Sequence, residues 1–296
     1  MKIVFTSFIL PHEIDDLERM LVSLKRASKF VTGSNYAFNV SLGTSDYLVN
    51  WEQSKISKEF FIEKFNSLKQ LTNWTTDSVF QIREDILGCV SSRRMAHIEN
   101  QEATHFIWLD TDVVFDEQIL FYMENAITGI EDEEIYEYVL TPEIVKIWDN
   151  TWDCLVNQNF LNEQLNYHKT NDPYMDCGVY GDVSIQLVKN NVMGQPSTKF
   201  AGGWFTCISK KLLDTTGIPE SFGHYGLEDT FIMWVIDKLN KNGKNIYQFK
   251  LNNYIVCEDY IYKNREYYLN NIKLINRKEE FRKIAESNFN NELNKF

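Results

Sequence analysis

Long apolar runs are missing from this 296-residue chain, and cysteines are few. No segment approaches the ~20 apolar residues that a membrane-spanning helix needs, which excludes a membrane span. The five cysteines are odd in number, scattered and without metal-type spacing, so we expect a reducing, cytoplasmic environment. Low-complexity linkers and internal repeats are also absent, which favours a single compact unit over an array.

The chain also lacks an excess of positive charge. It has 30 Lys and Arg against 42 Asp and Glu, a net charge of −12, which argues against general nucleic-acid binding. A local basic pocket for phosphates remains compatible with this balance. The first 11 residues are too short, with one basic residue and no small-residue cleavage site, to indicate a signal peptide, so we interpret them as the first strand.

What is present is the composition of an ordinary globular protein, 44% hydrophobic and 24% charged. Apolar patterns predict strands over residues 2–10, 36–42 and 106–109, and helices over 11–24, 57–71, 86–100 and 231–239. Strands that alternate with helices predict an α/β fold with a mostly parallel central sheet flanked by helices. In the middle of the chain, Pro142 suggests a helix starting near Val139, and residues 157–181 suggest a loop.

Helical spacing also predicts which side chains face the core. The first helix should bury Ile14, Leu17, Leu21 and Leu24. The second should bury Phe60, Phe61, Phe65 and Leu68 on one face.

The most informative motif is an apolar strand, Phe106 to Leu109, that ends in Asp110-Thr-Asp112. Carboxylates at the carboxyl end of such a strand lie where open α/β sheets bind ligands. Side chains two apart on a strand point the same way, so both carboxylates could bind one hard cation such as Mg²⁺ or Mn²⁺. The alternative is that one Asp caps a helix and the other is merely solvated.

Three further groups accompany this motif. Arg93 and Arg94 occur on the helix before the strand, where a guanidinium could bind phosphate oxygens or simply lie on the surface. Gly203 and Trp204 would allow close approach of a ligand and offer a stacking surface.

Glu228 and Asp229 form the third group. They occur at the start of a predicted helix. They could cap this helix, or one of the two carboxylates could take a proton from an attacking hydroxyl.

In this order and spacing the motifs resemble those of nucleotide-sugar glycosyltransferases of the GT-A fold, of the family-2-like type containing Asp-x-Asp. The similarity covers roughly residues 1–260. It implies one glycosyltransferase domain over residues 1–262, with a nucleotide-binding half at 1–115 and an acceptor half at 116–262. A helical tail over 263–296 would follow.

The resemblance implies a role for each residue of the donor site. Asp112 would coordinate Mn²⁺ or Mg²⁺ on the diphosphate of a UDP- or GDP-type sugar donor. Asp110 would bind the ribose or share the metal, and Arg93 or Arg94 would contact the nucleotide. Ser7 and Asp46 would lie near the nucleoside.

The same resemblance implies the acceptor side. Gly203 and Trp204 would shape the pocket for the sugar and the acceptor. Asp229 would be the general base of an inverting transfer to a hydroxyl of a glycan or related acceptor. Glu228 would bind donor or acceptor hydroxyls.

The sequence departs from this pattern at the third metal ligand. Many such enzymes supply a His from a strand near the C-terminus, whereas the corresponding stretch here contains Cys257 and Glu258. Glu258 is the better ligand for a hard cation, and His224 is a further candidate.

The tail differs in charge from the rest of the chain. Residues 263–296 carry eight Lys and Arg and five Glu, with apolar residues at roughly helical spacing. They predict helices packed on the domain or, alternatively, a peripheral membrane or partner contact, including an oligomer contact.

Two other functions fit parts of the sequence. A haloacid-dehalogenase-like Mg²⁺ phosphatase would use Asp110 as nucleophile, although that motif usually lies near the start of its domain. A non-catalytic carbohydrate-binding protein would use the 14% aromatic content for sugar stacking. An EF-hand is excluded, because the Gly and the Glu at position 12 of its loop are missing.

Overall fold

The computed structural model describes residues 1–51, 57–146, 177–188, 203–258 and 270–296. Nine strands form one sheet: β1 Lys2–Ile9, β2 Asn35–Gly43, β3 Asp77–Arg83, β4 His105–Leu109, β5 Val113–Val114, β6 Tyr138–Lys146, β7 Gly178–Leu187, β8 Phe205–Ser209 and β9 Tyr247–Glu258. The α-helices within the described residues are α1 Ile14–Ala27, α2 Lys58–Leu68, α3 Cys89–Glu99, α4 Ile119–Asp132, α5 Lys210–Thr216, α6 Glu228–Lys241 and α7 Ile272–Leu293.

The sheet has the order β3-β2-β1-β4-β8-β6-β9-β5, with β7 paired to β9 outside this path. The first four strands in this order are parallel to one another, and β6 is parallel to β9. β8 enters antiparallel between β4 and β6. The predicted α/β fold with helices flanking the sheet is confirmed.

The first two helices show how well a local pattern predicts burial. In α1, Leu17, Leu21 and Leu24 are fully buried, as a helix with one apolar stripe requires. In α2, Phe65 is fully buried but Phe60 is 49% exposed. The prediction that Phe60 joins the buried face was wrong, because Phe60 and Phe61 are adjacent and point about 100° apart on a helix.

The middle of the chain corrects one predicted element. Residues 138–146 form strand β6, not a helix starting near Val139. Pro142 is tolerated because the register of β6 against β9 shifts between Pro142 and Glu143, and a proline fits a strand at such an irregularity. Of the predicted loop at 157–181, residues 157–176 lie outside the described residues, while 178–181 belong to strand β7.

Helix α7 confirms a helical C-terminal segment. Its buried residues are Leu274, Phe281 and Ala285, whereas Ile272 and Ile284 are 70% and 46% exposed. The helix packs against α6 and against the short 3-10 helix Glu220–Phe222. No helix in the described part of the chain is long and apolar enough to cross a membrane.

Candidate active site

The carboxyl ends of β1, β2 and β4 meet at one edge of the sheet, because the three strands are parallel. Ser7 lies near the end of β1, Asp46 lies in the turn after β2, and Asp110 directly follows β4. Ser7 is buried, and its hydroxyl has no hydrogen-bond partner among the residues that the structure describes. The sequence motifs on these three strands therefore converge on the edge where α/β sheets bind ligands.

Arg93 is the centre of the polar cluster at this edge. Its Nη2 donates to Asp110 Oδ1 at 3.3 Å and to the carbonyl of Gly203 at 3.1 Å. Its Nη1 donates to Glu228 Oε1. The side chains of Arg93 and Glu228 are only 6% and 3% exposed, so the ion pair is buried. One guanidinium thus joins the strand that carries Asp110 to the helix that carries Glu228.

Two neighbours that sequence reasoning missed hold this arrangement. The guanidinium carbon of Arg93 lies 4.8 Å from the ring centroid of Trp108, and a cation over an indole is attracted to its face. Trp108 is two residues before Asp110 and so points to the same side of the strand. The Sγ of Cys89, one helical turn before Arg93, donates to Glu228 Oε1 at 3.6 Å. Strand and helix periodicity explain both contacts once Arg93 is known to bind Asp110 and Glu228.

Gly203 leaves the space that Arg93 occupies. A Cβ on Gly203 would lie 2.1 Å from Nη2 and 2.6 Å from Nη1 of Arg93, far inside van der Waals contact. The close approach expected at Gly203 is thus made by the guanidinium of Arg93. Trp204 is 1% exposed, so the prediction that its ring offers a ligand a stacking surface was wrong. Its carbonyl accepts a hydrogen bond from the amide of Asp110 at 3.2 Å.

Glu228 and Asp229 begin helix α6, where the macrodipole stabilises negative charge. Leu227 enters the helix with φ of 69°, a left-handed conformation that costs a non-glycine residue free energy. Burial and the neighbouring Glu228 carboxylate raise the pKa of Asp229 to about 7, against the opposing effect of Arg93. Asp229 therefore has the pKa of a general base that works near neutral pH.

The loop before α6 is fixed to the start of α3. The carbonyl of His224 accepts the amide of Val90 at 3.1 Å, and its Nδ1 lies 3.1 Å from Ser91 Oγ. A Cβ on Gly88 would lie 2.1 Å from that carbonyl, so this contact requires glycine. Arg94 donates to the carbonyls of Pro219 and Gly223, which both belong to this loop.

The residues after β4 can be tested against a divalent cation. Asp112 is 9% exposed, whereas the Asp110 side chain is 46% exposed and shares Oδ1 with Arg93. Among the described residues, no group of three or more His, Cys, Asp or Glu is placed to hold a metal. Mg²⁺-type ions commonly bind to one or two protein carboxylates plus substrate phosphates. Two carboxylates can therefore suffice for such an ion when substrate phosphates complete its coordination shell.

The backbone places Glu258 next to this pair. In the antiparallel pairing of β5 with β9, Glu258 lies opposite Val113 and Cys257 opposite Val114. The residue suggested as third ligand is thus paired with the neighbour of Asp112. His224 instead contacts helix α3, as described above.

No family model and no curated protein sequence matches this chain. Solved structures do match its fold. The crystal structure of S. aureus TarS 1-349 in complex with UDP gives a TM-score of 0.52 at 14% identity, over 90% of this chain and 62% of that chain. GalNAc-T7 with UDP, GalNAc and Mn2+ gives 0.52 at 13% identity, over 88% of this chain and 44% of that one. A further S. aureus TarS structure gives 0.50 at 14% identity, over 90% and 38%.

The architecture is accordingly the GT-A fold of nucleotide-sugar glycosyltransferases. This chain spans less than two thirds of the length of each of these three structures. The predicted fold is confirmed.

Proposed function

We propose that this protein is a metal-dependent glycosyltransferase, which moves a sugar from a nucleoside-diphosphate sugar to a hydroxyl of a glycan or related acceptor. The observation that carries the proposal is the buried Arg93 bridge between Asp110 and Glu228, with Asp229 beside it. The bridge lies at the carboxyl edge of a fold that TarS and GalNAc-T7 also have, and their structures contain UDP. GalNAc-T7 also contains Mn2+.

On the donor side, Asp110 and Asp112 would hold Mn²⁺ or Mg²⁺, with Glu258 as third ligand. When bound, the cation offsets the negative charge that develops on the departing diphosphate. Ser7 and Asp46 would lie near the nucleoside, at the ends of β1 and β2. A UDP-type donor is favoured over a GDP type because both structural neighbours hold UDP.

The two arginines would act on this donor side in different ways. Arg93 adds positive charge beside the diphosphate and orients the two carboxylates that it already contacts. Arg94 would contribute through the loop whose carbonyls it binds.

On the acceptor side, Asp229 would take the proton from the attacking hydroxyl. Its raised pKa suits this step, because a base with a pKa near the working pH is both ionised and basic enough to accept the proton. Attack on the face opposite the leaving group gives inversion. Glu228 would orient hydroxyls while Arg93 holds its carboxylate. Gly203 and the buried Trp204 would support the site from behind, through their contacts with Arg93 and with the amide of Asp110.

The compartment and the domain limits are part of the same proposal. The four cysteines within the described residues are free thiols, which agrees with a reducing, cytoplasmic environment. Residues 1–262 would form the transferase unit, with the tail at 263–296 packed on it through α7.

A thermal-shift experiment tests the donor and the metal together. UDP, GDP, CDP and dTDP would each be added with Mn²⁺, with Mg²⁺ and with EDTA, because a ligand that binds the folded state raises the melting temperature. We expect stabilisation by UDP that depends on the metal, and its loss in Asp112→Ala. The control is Asp132→Ala, which removes an exposed carboxylate at the end of α4.

Two results would contradict the proposal. One is glycan binding with no response to any nucleotide, which indicates a carbohydrate-binding protein. The other is hydrolysis of small phosphoesters that Asp110→Asn abolishes, which indicates a phosphatase.

A further inference from the structure

Helix α7 contacts two loops that the proposed reaction places on opposite sides of the substrate. We call residues 44–49, which follow β2 and contain Asp46, the donor loop. We call residues 219–227, which lead into Glu228 and Asp229, the acceptor loop. The two loops are far apart in sequence and belong to different ends of the chain, so a shared neighbour is the structural link between them.

The N-terminal half of α7 holds the donor loop. Lys273 Nζ donates to the carbonyl of Asp46 at 2.5 Å, and the hydroxyl of Tyr47 donates to Glu280 Oε2 at 3.0 Å. The guanidinium carbon of Arg277 lies 4.0 Å from the Tyr47 ring centroid. Three side chains on successive turns of one helix thus bind two adjacent loop residues.

The C-terminal half of α7 holds the acceptor loop. Asn288 Nδ2 donates to the carbonyl of Ser221 at 3.0 Å, and the hydroxyl of Ser221 donates to Glu292 Oε1 at 2.7 Å. From the N-terminal half of the same helix, the ammonium of Lys278 also reaches this loop, 5.1 Å from the Tyr225 ring centroid. Both the backbone and the side chains of this loop are therefore tied to the same helix.

Phe281 is the point where the two sets of contacts meet. It is 6% exposed, and its ring centroid lies 6.0 Å from that of Tyr47 and 5.2 Å from that of His224. One buried ring therefore packs between a residue of the donor loop and a residue of the acceptor loop. Removal of the ring would therefore take one packing contact from each of the two loops at the same time.

The contact continues from His224 to the carboxylates. His224 binds Val90 and Ser91 at the start of α3, and one turn later α3 carries Arg93, which binds Glu228 and Asp110. The path from α7 to the site thus consists of packed or hydrogen-bonded neighbours at each step. Coupling along such a path is demonstrated by a measurement that reports on both loops.

We propose that Phe281 is a positioning residue: through Tyr47 and His224 it holds the donor and acceptor loops in one fixed arrangement, so that binding of a nucleoside diphosphate at the donor loop also orders the acceptor loop. This inference rests on the proposed function for the identity of the ligand. It assigns to helix α7 a role in positioning the site through Tyr47 and His224.

Hydrogen exchange of the whole protein, followed by mass spectrometry, tests this inference. In the wild type, UDP with Mn²⁺ should slow exchange in residues 44–49 and in residues 219–227. In Phe281→Ala without ligand, exchange in both loops should be about tenfold faster than in the wild type. With UDP and Mn²⁺ the variant should regain protection only in the donor loop.

Two further variants serve as controls. Ile272→Ala removes a side chain that is 70% exposed at the start of the same helix, and it should leave exchange in both loops unchanged. Phe281→Leu keeps an apolar side chain between Tyr47 and His224 but removes the ring, so without ligand both loops should exchange faster than in the wild type and more slowly than in Phe281→Ala. It also provides the measurement if Phe281→Ala does not fold.

The outcomes separate this inference from the proposed function. If the ligand-free Phe281→Ala and Phe281→Leu proteins exchange in both loops as the wild type does, the inference is overturned. It is also overturned if UDP protects the acceptor loop of Phe281→Ala as fully as that of the wild type. If UDP with Mn²⁺ protects neither loop in the wild type, the proposed function fails, while the ligand-free comparison still tests the role of Phe281.

Discussion

Replacement of Asp229 by Asn should change how the stability of the protein depends on pH. Burial and Glu228 raise the pKa of the folded-state carboxyl to about 7, whereas an unfolded Asp has a pKa of about 3.9. Between these values the folded state binds more protons than the unfolded state, so the free energy of unfolding falls as pH rises from about 4 through 7. Above that interval the loss is complete.

The size of the effect follows from the shift. About two of the roughly three pK units of this shift lie between pH 5 and pH 8.5, and at about 1.4 kcal/mol each they give an upper limit of about 3 kcal/mol. The side chain is partly exposed, and solvent screening reduces the effect to on the order of 2 kcal/mol. Asn cannot ionise, so Asp229→Asn should not lose this free energy between pH 5 and pH 8.5.

Urea unfolding at these two pH values, in EDTA, measures the difference directly. Between pH 5 and pH 8.5 the free energy of unfolding of the wild type should fall by on the order of 2 kcal/mol more than that of Asp229→Asn. The control Asp132→Asn removes an exposed carboxylate and should follow the wild type. Equal pH dependence in wild type and Asp229→Asn would refute the raised pKa, and with it the reasoning that makes Asp229 suited to proton transfer.

The same pKa makes a prediction for the reaction. A base with a pKa of about 7 is ionised in only about one tenth of the molecules at pH 6, so the metal-dependent rate should rise with pH through neutrality. Asp229→Asn should lower kcat by about 10²- to 10⁴-fold and leave UDP binding intact. A variant with full activity would contradict the role of Asp229 as base, and one that no longer binds UDP would indicate a binding role.

Two further predictions concern the buried bridge. Arg93→Met leaves Glu228 charged and unpaired in a buried position, which should lower the free energy of unfolding in urea by about 3–5 kcal/mol. The double variant Arg93→Met with Glu228→Gln should recover part of this loss. Strictly additive effects of the two substitutions would show that the pair does not interact. Gly203→Ala should displace the Arg93 guanidinium and weaken metal-dependent UDP binding in a calorimetric titration, whereas Gly129→Ala, where the new Cβ meets only Ile185 at 3.6 Å, should bind UDP like the wild type.

The fold was predictable where the pattern is local. The strand 106–109 and helix α1 were found because continuous burial or one apolar stripe is visible within a few residues. Strands β3, β7 and β8 were not predicted, and β6 was assigned as a helix. A strand gains its hydrogen bonds from partners remote in sequence, and the irregularity that accommodates Pro142 exists only in the pairing of β6 with β9.

In the site, too, the sequence identified the residues, whereas their contacts became known only from the structure. The motifs containing Asp110, Arg93 and Glu228 were all found from residue type and spacing. Their arrangement was not, because the sequence offered Arg93 and Arg94 as equal candidates. The structure buries Arg93 between the carboxylates and directs Arg94 to loop carbonyls. Neighbouring residues on a helix point about 100° apart, so only packing against the sheet decides which one faces the site.

The sequence by itself therefore determined which chemical groups this protein has and which strand end presents them, since both depend on residue type and short-range periodicity. The tertiary structure alone decided what those groups contact. The guanidinium of Arg93 fills the space that a side chain at position 203 would need, because the segment leading into β8 passes beside α3. Asp229 has a raised pKa because α6 begins in a buried position next to Glu228. Phe281 meets Tyr47 and His224 because α7 folds back over both loops. Contacts between residues remote in sequence arise from the free energy of packing the whole chain, which no short segment of sequence contains.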